Sequence, residues 1–161
     1  MRSTYDVFAE TNPAFCAYAL TRFTEAFEKV NANGPELPLI YIALPIALSG
    51  DLARTFEGTN KNTGLLEWLM RCPEVQIELV DRVNGSMSIV TEAVRFTCFM
   101  KALNLDEEGR LKSGPEKLKK AAVNGLSERP VAVIKNSERL GYWFGMAGSA
   151  RTSFDMMGLT V

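Results

Sequence analysis

The stretch from Val131 to Val161, VAVIKNSERLGYWFGMAGSARTSFDMMGLTV, decides how this chain is read. A frayed terminus is polar. This one carries Leu140, Trp143, Phe144, Met146, Phe154, Met156, Met157 and Leu159, so it must dock on something. Gly141 and Gly145 are four residues apart and share one face of a helix. Glycine inside a helix costs about 1 kcal/mol relative to alanine, and two on one face imply that another backbone packs close there. Internal packing is the simpler account of the aromatic side chains. If part of the segment instead meets a second protein, Leu140, Trp143, Phe144 and Met146 are the partner-binding candidates.

Reading outward, the front of the chain has an equally clear signal. Thr11-Asn12-Pro13 is a helix start, with Asn12 as cap and Pro13 in the first turn. Phe15, Ala19, Phe23, Ala26 and Val30 recur at helical spacing, which predicts a helix from Pro13 to about Asn31, ended by Asn33-Gly34-Pro35. The apolar run LPLIYIALPIAL, Leu37 to Leu48, suits a buried helix or a strand and reads as a helix, because Pro45 disfavours a central strand; any exposed part of it is a further candidate contact surface. A short helix over Asp51 to Phe56, a loop over Gly58 to Gly64 and a helix over Leu65 to Arg71 follow.

The centre predicts a helix opened by Pro73, carrying Val75, Leu79, Val80 and Val83, and closed by Asn84-Gly85. A second helix is capped by Ser88, with Ile89, Ala93, Phe96, Met100 and Leu103 as its apolar face. Asn104-Leu105, the turn Asp106 to Gly109 and Arg110-Leu111 then read as a small hairpin. Helix, turn, helix, hairpin is the order of a winged helix-turn-helix. A helix from Pro115 to Val123 and the C-terminal pair complete a single domain, residues 1–161. Its class is mainly α (α+β), a helical domain with a winged helix-turn-helix-like centre and a small β-hairpin.

The candidate recognition helix is poorly equipped to read bases: Thr91, Glu92, Arg95, Thr97 and Lys101 stand among apolar residues. The hairpin region is better supplied. Arg110, Lys112, Lys117, Lys119 and Lys120 form a basic cluster suited to phosphates and are the nucleic-acid-binding candidates. A solvated basic face is the simpler account of the same residues.

Composition narrows the chemistry. The 161 residues are 47% hydrophobic with a net charge of −1, which suits one globular domain with a substantial core. The longest apolar run is too short to span a bilayer, and the N-terminus lacks the pattern of a signal peptide, so a cytoplasmic location is expected. Cys16, Cys72 and Cys98 are scattered among apolar neighbours and read as buried thiols. The sequence contains no histidine, which removes a Ser-His-Asp or Cys-His arrangement and any zinc site with histidine ligands. Neither a phosphate loop of the G-x-x-x-x-G-K-[ST] type nor a dinucleotide fingerprint occurs, so no cofactor is expected. Carboxylate-only catalysis is the remaining enzymatic option, but no acidic pair stands out; Asp106, Glu107 and Glu108 read as a solvated turn.

The two ends together resemble a known family. LGYWFG, a short Gly-Ser spacer, an aromatic-bearing helix and the ending GLTV are similar to the end of the middle component of bacterial ABC-type three-component systems. Leu140, Gly141, Trp143, Phe144, Gly158 and Leu159 match that pattern, as do Asn12-Pro13 and the run from Leu37 to Leu48 at the front. Tyr142 stands where a basic residue is common, and the family's final proline is absent. The resemblance implies a non-enzymatic adaptor that binds an SMC-like ABC ATPase and an effector subunit in a bacterial anti-phage or anti-plasmid system related to the Lamassu type. DNA would be met through the complex, and no membrane is involved. A winged-helix DNA-binding regulator using region 110–120 is the alternative.

Overall fold

The computed structural model describes residues 12–118 and 128–159. Helix α1, Pro13–Val30, begins as its sequence dictates. The Asn12 side-chain oxygen accepts the backbone N–H groups of Ala14 (3.1 Å) and Phe15 (3.3 Å), and Pro13 takes the first turn. These are donors that a helix start otherwise leaves unsatisfied. Helix α2, Leu37–Leu48, is the apolar run, and it passes through Pro45. Proline there removes one backbone donor from the ladder; at the helix end the Ser49 hydroxyl donates to the Pro45 carbonyl at 2.6 Å. A 3-10 helix over Gly50–Phe56 and helix α3, Leu65–Arg71, follow at the expected places.

The predicted single helix after Pro73 is two pieces. A 3-10 helix over Pro73–Gln76 is separated from α4, Leu79–Gly85, by Glu78 at φ 59°. A left-handed residue other than glycine costs about 1–2 kcal/mol, and it interrupts the helical ladder. Helix α5, Met87–Phe99, starts one residue after α4 ends. Its buried face is Val90, Ala93 and Thr97, rotated from the predicted one: Ile89 and Phe96 are only partly covered and Met100 is exposed.

Strands β1, Leu103–Leu105, and β2, Leu111–Ser113, form the expected hairpin, antiparallel with Asn104 opposite Lys112. Leu103 and Leu111 point into the core. The segment before α2 joins the hairpin's edge: Glu36 bridges Arg110, Leu37 N–H donates to the Gly109 carbonyl, and Leu111 N–H donates to the Pro35 carbonyl, both at 2.9 Å. Gly34, at φ 79°, brings the chain so close to the Leu111 carbonyl that a Cβ would collide with it. The helix predicted from Pro115 does not begin there. Residues 115–118 are non-helical, and the Gly114 and Glu116 N–H groups donate back to the Ala102 and Lys101 carbonyls. The remainder of that expected helix lies outside the described residues.

Helix α6, Glu128–Ala147, packs along α1, and α2 packs against both. The two glycines explain the closeness of α1 and α6. A Cβ on Gly141 would run into the Phe23 carbonyl oxygen, and one on Gly145 would strike the Val30 side chain and come within 3.1 Å of the Phe27 carbonyl oxygen. Phe144 meets Phe23 edge-on at 6.1 Å between ring centroids. Helix α7, Ala150–Met156, is capped by the Ser149 hydroxyl, which accepts the Thr152 N–H. The architecture is mainly α with one two-stranded hairpin, as expected.

Candidate functional site

Three surfaces qualify for comparison with the predicted residues. The first is the C-terminal aromatic block, and it lies inside the molecule. Leu140, Trp143 and Phe144 are fully buried. The Trp143 ring stacks on Phe56 at 6.0 Å and lies 5.3 Å from the Trp68 ring, and Phe56 and Trp68 are 5.1 Å apart. Each indole finds an acceptor: Trp143 Nε1–H donates to the Asn60 carbonyl at 3.0 Å and Trp68 Nε1–H to the Thr55 carbonyl at 3.1 Å. Buried indoles need such partners, so this cluster fastens the 50–64 segment to α6. Of the four partner-binding candidates only Met146 is on the surface, 65% exposed; the other three serve the core instead.

The second surface is the basic hairpin region. Arg110 lies 3.5 Å from Glu36 and 3.9 Å from Glu108, and also donates to the Gly34 carbonyl at 3.0 Å. Lys112 is 3.4 Å from Asp106, and Lys117 is 3.5 Å from Glu25. Each cation is thus drawn toward an acid of the same chain, which lowers its value to a phosphate. Lys119 and Lys120 lie outside the described residues. Asp106 organises the turn: its carboxylate accepts the Glu108 and Arg110 N–H groups, both at 2.9 Å. The Arg110 N–H first, and then the Glu108 N–H and Lys112, hold its carboxyl below the usual range against the opposing effect of desolvation. This is the solvated turn that the sequence indicated.

The third surface falls on the part of the Leu37–Leu48 run that is left uncovered. A groove of about 420 Å³ runs between α2, α4 and α7, lined by Leu37, Tyr41, Ile42, Val80, Val83 and Met87, with Phe154 and Leu159 from the C-terminal end. A second depression of about 510 Å³ shares Pro38, Phe154 and Leu159 with it and adds Glu36, Arg151 and Asp155. Val80 is 57% exposed and Met87 47%, although α4 and α5 read as amphipathic core helices. Tyr41 is anchored from below, its hydroxyl 2.8 Å from that of Thr91. The signal that could have found this groove is a surplus: α2 is apolar all round, yet α4 offers it only a short helix to bury against.

A polar cleft of about 310 Å³ lies between α1, α6 and the 58–64 loop. Arg22 crosses it to Glu138 (2.8 Å) and also meets Glu25 (3.2 Å). Desolvation works against the Arg22 charge, but its hydrogen bond and attraction to Glu138 outweigh that and raise its pKa. Among the described residues no group of His, Cys, Asp and Glu is arranged to hold a metal. Cys16 is buried, whereas Cys72 and Cys98 are half-buried, less enclosed than their apolar neighbours suggested. No single helix among the described residues is long and apolar enough to cross a membrane; α2 and the following 3-10 helix pass that test only as a pair, and they are bent by 93°.

No curated protein and no solved structure matches this chain. A family model does, over residues 7–161, the span that holds both the Asn12-Pro13 start and the LGYWFG block. With those two ends packed against each other as α1 and α6, the chain belongs to the ABC-three component (ABC-3C) system Middle Component 3 family.

Proposed function

We propose that this protein is a non-enzymatic cytoplasmic adaptor, which docks on the SMC-like ABC ATPase of its system and couples it to an effector component in bacterial defence against phages or plasmids. Membership of a middle-component family supports a role among protein partners. The observation that carries the reading is the groove between α2, α4 and α7. Its exposed Val80 and Met87, with Tyr41 and Phe154, make a concave apolar surface of the kind that seats a partner's apolar ridge. Its occupant is a protein component of the same three-component system. Co-expression with the adjacent ATPase and effector, followed by co-purification, tests it. Wild-type protein is expected to retain at least one of them, and the pair Val80→Asp, Met87→Asp to lose it with unchanged folding. Failure of the wild type to retain either, or retention by the double variant, rejects the reading.

A second reading is a winged-helix DNA-binding protein that uses region 110–120. The bridge from Glu36 to Arg110, which adds a third short edge to the hairpin, favours it. The ion pairs at Arg110, Lys112 and Lys117 weigh against it. Steeply salt-dependent DNA binding that disappears with Lys112→Ala and Lys117→Ala is its signature.

A further inference from the structure

The cations of the hairpin are engaged by acids, but another set is not. Lys29 near the end of α1, Lys61 in the 58–64 loop and Lys135 on α6 come from three separate parts of the chain and line the same 310 Å³ cleft. None of the three has an ion pair among the described residues; Lys61 instead sits 5.8 Å from the centre of the Tyr142 ring. Arg139, half-buried in the cleft, donates to the Phe56 carbonyl (3.2 Å) and the Thr59 hydroxyl (3.0 Å), both neutral, and has no ion pair among the described residues. The two acids of the cleft, Glu25 and Glu138, are both held by Arg22. A chain whose net charge is −1 therefore concentrates positive charge in one concave place. Such a surface focuses its field on anions.

We propose that this cleft binds the phosphodiester backbone of a single-stranded nucleic acid. Carboxylates are best matched by a free guanidinium fork; Arg22 has its fork committed to Glu138 and Glu25, and Arg139 turns one terminal nitrogen to the Phe56 carbonyl and the Thr59 hydroxyl. Around them stand three ammonium groups, which act as point charges on phosphate, beside an aromatic ring. Basic groove and ring together are the combination that tracks a single strand. The site is separate from the apolar groove, so it stands or falls independently of the adaptor reading.

The test is fluorescence anisotropy with a labelled mixed-sequence single-stranded oligonucleotide, between about 50 and about 200 mM salt. Binding is expected to weaken steeply with salt. The triple variant Lys29→Ala, Lys61→Ala, Lys135→Ala is expected to reduce the slope of log K against log salt by about 2 to 3, since each lost phosphate contact removes roughly 0.7 to 0.9. Lys112→Ala with Lys117→Ala is expected to leave it unchanged. All three cleft lysines are exposed, and a circular dichroism melt checks that the triple variant remains folded. Absence of binding by the wild type, or wild-type binding by the triple variant, overturns the proposal. Pyrophosphate that displaces the strand at equal phosphate concentration reassigns the cleft to free phosphates, and polyglutamate that binds as tightly reassigns it to acidic peptides; either overturns the nucleic-acid assignment.

Discussion

Helices α5 and α6 carry similar apolar side chains and place them differently. In α6, Leu140, Trp143 and Phe144 are fully buried, and even the glycines are pressed against α1. In α5, Val90 and Ala93 are buried, but Phe99 is 83% exposed, and Met87 and the C-cap Met100 lie open to solvent. The difference lies in the neighbours. Helix α6 has α1 and α2 along it, with α3 and the 3-10 helix at Gly50–Phe56 closing over its indole. Helix α5 is packed mainly by α1, with short contacts to α2, α4 and β1. The comparison teaches that aromatic content does not fix burial in this protein; how much of a helix its neighbours cover does.

The strongest way to break that comparison is Trp143→Ala. Removing the indole empties the centre of the Phe56–Trp68–Trp143 cluster. A loss of about 3–5 kcal/mol is expected in chemical denaturation. A loss below about 1 kcal/mol would mean that the block is not core. Gly141→Ala sharpens the point with a single methyl group. Its Cβ must displace the Phe23 carbonyl, a backbone atom that cannot swing aside, so a loss of about 1–3 kcal/mol is expected despite alanine's better helix propensity. A stabilised variant would show that α1 and α6 are not in close contact.

The opposite side of the comparison predicts small effects. Phe99→Ser, at an exposed position, is expected to change stability by no more than about 0.5 kcal/mol in the same denaturation. A larger loss would mean that something covers α5. The least effect concerns the hairpin turn and is a matter of pH. The folded-state pKa of Asp106 lies below its ordinary value, so its contribution is present above an unfolded pKa of about 3.9 and is lost as pH falls through the lower folded value. Amide exchange at Glu108 and Arg110, the two donors to its carboxylate, is expected to accelerate in that acidic window and to be steady at neutral pH. Asp106→Asn, whose side-chain oxygen accepts the same bonds, is expected to remove the pH dependence.

Much of the fold was legible in the chain. The Asn12 cap, the glycine pair, the Leu37–Leu48 helix and the Asp106 turn are local devices, and each acts where its residues stand. The errors share another cause. The helix after Pro73 divides at Glu78, which takes a left-handed φ of 59° that no local preference for that residue records. The helix expected from Pro115 yields, over residues 115–118, to backbone bonds with Lys101 and Ala102, partners more than ten residues away. The face of α5 was misplaced because a buried Thr97 satisfies its hydroxyl on the Val94 carbonyl (2.8 Å) and so passes as a core residue.

The sequence by itself determined the helical class, the hairpin, the family and a close backbone approach at Gly141 and Gly145, because caps, turns, periodicity and small residues act over a few positions. Only the tertiary structure decided which surface is left to bind. Burial and ion pairing depend on residues far apart in the chain: Glu36 and Glu25 engage Arg110 and Lys117, whereas Lys29, Lys61 and Lys135 are brought to one cleft with no acid to engage them among the described residues. A charge or an aromatic ring has the same identity in either setting, and its free energy is set by the neighbours that folding supplies.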